Sequence, residues 1–185
     1  MRLILLLMLI LPLVAQAQPT FQLEGRAQTG EDRRAARFEF YCSPNAGPEV
    51  TGALGLSLFL PRHDTLRAVF DFDAFEGPDA DAGIRTRVET ISGRTTANGR
   101  FHVSGWIGVD DDKPFGFGLA AARRQDAAGL AAVVRILRPL TFGAARLTWV
   151  QENPRRGAPS ITSVLEISAE QSSVLRALLA PCLGG

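Results

Sequence analysis

Along this chain, short runs in which apolar and polar residues alternate are separated by Gly, Pro, Asn and Asp at intervals of roughly ten residues, the spacing of short strands joined by turns. "ARFEFYC" (Ala36–Cys42) places Phe38, Phe40 and Cys42 on one side. "LGLSLFL" (Leu54–Leu60) and "LRAVFDFD" (Leu66–Asp73) follow, separated by the turn-like "PRHDT". "TRVETIS" (Thr86–Ser92) and "RFHVSGWIGV" (Arg100–Val109) flank "GRTTANG", in which Asn98-Gly99 is the turn signal. Pro114–Ala122, Leu130–Arg138, Ala145–Gln151 and Ile161–Ile167 continue the pattern. Leu130–Arg138 reads as a strand because Gly129 interrupts an alanine-rich stretch and Val-Val-Arg-Ile favours extended backbone. Gln28–Ala36 and Gln151–Ser160 read as exposed loops.

The tail changes period. Ser168 and Gln171 form a capping-box pair. Val174, Leu175, Leu178 and Leu179 make a stripe at helical spacing that Pro181 ends. The pattern predicts an all-β fold, mainly an antiparallel sandwich or curled sheet, closed by one C-terminal α-helix.

The first residues alter the picture of where this domain works. Arg2, an apolar run from Leu3 to Val14 and Ala15-Gln16-Ala17 have the layout of a secretory signal peptide, so residues 1–17 are expected to be removed and 18–185 to form one domain. The apolar run falls short of the roughly 20 residues that span a bilayer, and no Cys follows the cut to carry a lipid. A periplasmic or secreted protein with no stable membrane anchor is the expectation. The leader holds one Arg and no acid, so the formal charge of +1 falls to zero on cleavage. A nucleic-acid partner, which calls for a basic excess against phosphate, is disfavoured, as is a polybasic membrane patch. The only two cysteines, Cys42 and Cys182, are most simply one disulfide in an oxidising compartment, with two buried thiols as the alternative. They do not form a C-x-x-C pair, which argues against thiol–disulfide catalysis.

Candidate chemistry is sparse. "FDFDAFEGPDADAG" (Phe70–Gly83) holds five carboxylates, and a loose calcium site using Asp71, Asp73, Asp79 and Asp81, helped by Asp110–Asp112, is the one cofactor it could supply. An EF-hand fails in both registers: from Asp71, Phe75 replaces a ligand and Glu76 the glycine, and from Asp79, Arg85 and Thr90 occupy ligand positions. The competing reading turns Phe70 and Phe72 inward and Asp71 and Asp73 outward. His63 beside Asp64 is a conceivable general-base fragment for a small hydrolase, more simply a polar turn. His102 alternates within a strand. The segment around Ser57 lacks the last glycine of G-x-S-x-G, and neither a zinc-binding H-E-x-x-H nor a nucleotide-binding glycine motif occurs. Gly116 and Gly118 read as strand glycines at a bulge or a close approach. Phe115, Phe117, Trp106 and Trp149 belong to a core by default, and any that lie exposed would mark a ligand or partner surface.

Three segments, "ARFEFYCSPNAG", "VFDFDAFEGP" and "LEISAEQSSVLRALLAPC", together about a quarter of the chain, resemble small exported bacterial proteins of the type VI secretion accessory and invasion-associated locus B kind. In those a strand Cys followed by a polar turn is matched by a Cys after a C-terminal helix. The stretch "EGPDADAG" departs from that pattern. The resemblance implies a non-catalytic periplasmic β-rich domain with one disulfide. The leading expectation is therefore an exported binding or accessory protein whose partner is an envelope protein or a small ligand. The rivals are a small hydrolase or metal-dependent enzyme using His63, Asp64 and the 71–81 stretch, and a structural component of the cell envelope.

Overall fold

The computed structural model describes residues 19–44, 53–77, 80, 83–122 and 125–184. The expected leader lies outside them. Nine strands form one antiparallel sheet: β1 (Thr20–Thr29), β2 (Asp32–Ser43), β3 (Ala53–Leu60), β4 (Thr86–Ser92), β5 (Thr95–Phe101), β6 (Ser104–Ile107), β7 (Phe115–Ala121), β8 (Ala145–Gln151) and β9 (Ile161–Ile167). Their spatial order is β5-β4-β8-β9-β1-β2-β3-β7-β6. Among the described residues two α-helices, α1 (Ala127–Leu137) and α2 (Ala169–Leu183), pack against the sheet.

Alternation sets the two faces. Phe38, Phe40 and Cys42 of β2, Leu54 to Leu60 at every second position of β3, Phe115 and Phe117 of β7, and Leu147 and Trp149 of β8 all point to one buried side. The terminal strands of the sheet, β5 and β6, are consecutive in the chain and joined by only His102 and Val103, so the sheet must curl until its ends come together. Helix α1 bridges that seam, touching β4 and β5 at one end of the sheet and β3 and β7 at the other. Helix α2 packs on β2, with Leu175 and Leu179 fully buried, and a Cys42–Cys182 disulfide ties it there with Cα atoms 5.9 Å apart. The Ser168–Gln171 capping box is present in full.

Several local expectations are corrected. Leu130–Arg138 is not a strand but most of α1: Leu130, Val133, Ile136 and Leu137 recur at helical spacing on its buried side, and the Asp126 side chain accepts the Gly129 N–H at its start. Leu66–Asp73 is not a strand either. It joins two short 3-10 turns, His63–Leu66 and Asp73–Phe75, and sends Phe70 and Phe72 into the core, where Phe75 of the second turn joins them. The Gln28–Ala36 segment is a hairpin rather than a loop, turning at Gly30-Glu31 between β1 and β2. The turn expected at Asn98-Gly99 lies instead at Gly93-Arg94, because Ser92 pairs with Thr95 and the ladder continues to Thr86 opposite Phe101. Gly30 and Gly93, at φ 58° and 56°, each hold the first central position of a two-residue turn, where a left-handed backbone matches strand twist. Arg100–Val109 breaks into β5 and β6 at the seam. Pro181 does not stop α2, which runs on to Leu183, and Val174 faces outward.

Candidate functional site

The sequence candidates scatter. Asp73 faces Arg67 at 2.7 Å, and Asp71 lies 3.9 Å from Arg155. Asp79 and Asp81 lie outside the described residues. Asp110 pairs with Arg37 at 3.2 Å. Among the described residues no three His, Cys, Asp or Glu side chains gather as a metal set.

His63 is only 4% exposed. Its Nδ1–H donates to the Lys113 carbonyl at 2.7 Å, and its ring packs against Phe72 and Phe115 with centroids 5.4 and 5.5 Å away. A histidine held that way ties two loops together and is sealed from solvent, while Asp64 points outward. The pair has no geometry for a general base, which must reach the proton it takes. The loops it joins are strained: Arg62 and Lys113 have φ of 49° and 41°, in the left-handed region that costs a side-chain-bearing residue about 1 kcal/mol or more. Arg34 holds this corner, donating to the Pro61 and Arg62 carbonyls at 2.9 and 3.0 Å, to Thr65 Oγ1 at 3.0 Å and to both Asp32 oxygens. These groups serve architecture.

The aromatics separate cleanly. Phe115, Phe117 and Trp149 are core, whereas Trp106 is 37% exposed on the outer face. Glycine makes room for it. A Cβ on Gly116 or Gly118 of β7 would sit 2.6 or 2.7 Å from the Trp106 ring, so the indole lies directly on the bare backbone of its neighbour strand. Tyr41 of β2 does the same over Gly55 of β3, where a Cβ would run into the ring. Phe59 braces the indole edge-on at 5.6 Å and 84°, and the Arg37 guanidinium lies 4.8 Å from the Phe59 centroid.

Tyr41 and Trp106 wall an open cleft of about 380 Å³ with Glu39, Ser57 and Ser104 along it. Gln22 Nε2 donates to Glu39 Oε2 and fixes that carboxylate. Burial pushes the Tyr41 hydroxyl's pKa up, and the charge on Glu39 adds to the shift, so the phenol stays a neutral donor. Two ring surfaces, a fixed carboxylate and the hydroxyls of Tyr41 and Ser104 can support a flat solute and hydrogen-bond its rim. A wider concavity over β1, β2, β8 and β9 is lined by Arg26, Arg34, Arg146, Glu24 and Glu166, but two of its arginines already serve Asp32 and Glu166.

Trp106, Gly116 and Gly118 stand out in the sequence, whereas Tyr41, Glu39 and Gly55 do not. The available signal was the run of glycines at alternate positions, Gly116 and Gly118, beside a strand carrying an unassigned Trp. Comparison with family models, characterised proteins and solved structures finds no match to this chain.

Proposed function

We propose that this is an exported, non-catalytic binding protein whose ligand is a flat, hydroxyl-bearing ring such as a saccharide unit, taken in the Tyr41–Trp106 cleft. The observation that carries this reading is the half-exposed indole laid on Gly116 and Gly118. Covering the same surface with an aliphatic pair would stabilise the sheet as well, whereas an open aromatic face suits the C–H-rich face of a pyranose. Glu39, Ser104 and the Tyr41 hydroxyl line the cleft and would take its rim hydroxyls. The Cys42–Cys182 bridge fits an oxidising compartment, and no helix among the described residues is long and apolar enough to cross a membrane. A periplasmic location is part of the proposal.

The test is a glycan array, including bacterial cell-wall saccharides, probed with the wild-type protein and with Trp106→Ala. Retention of one glycan class by the wild type, lost on substitution while the thermal midpoint stays close to wild type, supports the reading. Equal retention by both proteins, or none by either, overturns it.

A further inference from the structure

We propose that strand β5 is a docking edge that accepts an extended, acidic segment of another protein as a tenth strand. The two ends of the sheet are treated differently. The β6 edge is four residues long and is covered by the Glu76–Gly105 bridge. The β5 edge runs uninterrupted for seven residues, roughly 23 Å at strand rise, with no Pro and no bulge along it. Among the described residues no strand pairs with its outer side; α1, which bridges the seam, packs on β5 at Gly99, where a Cβ would lie 3.7 Å from Ile136, and leaves the Thr95–Asn98 end beside open space.

The register fixes which groups are offered. Thr95, Ala97, Gly99 and Phe101 are the residues whose N–H and C=O face β4, because the two-residue turn makes Ser92–Thr95 a hydrogen-bonded pair and the pattern then alternates. Thr96, Asn98 and Arg100 therefore turn their backbone donors and acceptors outward. Beside them runs a shelf of about 450 Å³ between β5 and the end of α1, walled by Arg135, Arg138 and Pro139. Phe142 stands at its rim, 69% exposed, able to receive one apolar side chain of an incoming strand.

Charge selects the occupant. Neither Gly93–Val109 nor Ala127–Gln151 contains a carboxylate, while Arg94, Arg100, Arg135, Arg138 and Arg146 lie in them; against these stand Glu89 of β4, opposite Asn98, and Glu152. Arg100 is answered by Glu152, and Arg138 donates to the Leu183 carbonyl. Arg135 is exposed on the shelf and points to a carboxylate from outside. A second copy of the chain would set these arginines against their own counterparts, so self-pairing is opposed and an acidic strand favoured.

The test uses the disulfide-bonded protein and two blocked eight-residue peptides, one alternating Glu with Val and one alternating Lys with Val, followed by amide NMR and exchange. The Glu/Val peptide should shift and protect the amides of Thr96, Asn98 and Arg100, and the Lys/Val peptide should not. Asn98→Pro removes an outward N–H without touching the β4 ladder and should abolish binding. Arg135→Glu, on an exposed helical position, should weaken it by about tenfold or more and serves alone if the Pro variant misfolds. No response to the Glu/Val peptide at millimolar concentration overturns the proposal. So do equal binding by Arg135→Glu or Asn98→Pro, an equal response to the Lys/Val peptide, and slow exchange of the Thr96 and Asn98 amides in the free protein, which would mean the edge is already covered.

Discussion

Gly118 has one neighbour that matters, the Trp106 ring, and a methyl group there would meet it at 2.7 Å. Because the far end of a side chain gives way more readily than backbone, Gly118→Ala should displace the indole and leave the core intact. A red shift and stronger quenching of tryptophan emission are expected, with a stability loss of about 1 kcal/mol or less. An unchanged spectrum would mean that the ring does not lie on that strand. Asp32 makes a different residue-scale argument. Its carboxyl is held below its ordinary value of 3.8, chiefly by the hydrogen bonds from Arg34. A depressed folded-state pKa contributes stability that is present above the ordinary carboxylate range and is lost as the pH falls through the lower folded value. Asp32→Asn should therefore lower the thermal midpoint at about pH 6, and the gap to wild type should close towards about pH 3. A gap that is constant over this range would show that the carboxylate's charge is not what counts. The alternating glycines of "FGFGL" are plain in the sequence. Which aromatic lies on them is not, since Trp106 reaches Gly118 only through pairing between β6 and β7.

Elements were legible where local signals agreed. In the tail the capping box and apolar stripe both predict a helix, and α2 begins where Ser168 caps it. Removing that cap, Ser168→Ala, should cost about 1 kcal/mol in urea unfolding, and no measurable loss would show that packing of Leu175 and Leu179 alone sets the helix start. At α1 the signals conflict. Val-Val-Arg-Ile favours strand by propensity, but Leu130, Val133, Ile136 and Leu137 recur with helical period, and burial against both ends of the sheet decides the outcome. Gly129, taken as a breaker, lies in the first turn of the helix, where a Cβ would meet the carboxylate of Asp126 that caps it. The "VFDFD" segment misleads in the opposite sense: its alternation correctly buries Phe70 and Phe72, yet among the described residues no strand pairs with it.

For the whole molecule, the β-rich class and the Cys42–Cys182 pairing could be read from the chain, whereas one curled sheet could not be told from a two-sheet sandwich. The difference rests on long-range pairings such as β1 with β9 and β4 with β8, and on a two-residue seam whose length is visible but whose closure is not. The disulfide spans 140 residues and fastens α2 to the sheet it covers. By the chain-entropy argument, Cys42→Ser with Cys182→Ser should lose about 4–5 kcal/mol of unfolding free energy, and a loss under about 1 kcal/mol would assign closure to α2 packing instead. The same curl leaves the outer face to Tyr41 and Trp106 and hides Trp149, which makes the binding claim directly measurable. Protein labelled with 5-fluorotryptophan should give two fluorine resonances, with that of Trp106 identified by its loss in Trp106→Phe. Titration with a saccharide retained on the array should move the Trp106 resonance and leave that of Trp149 in place; movement of neither, or of Trp149 alone, would contradict the account.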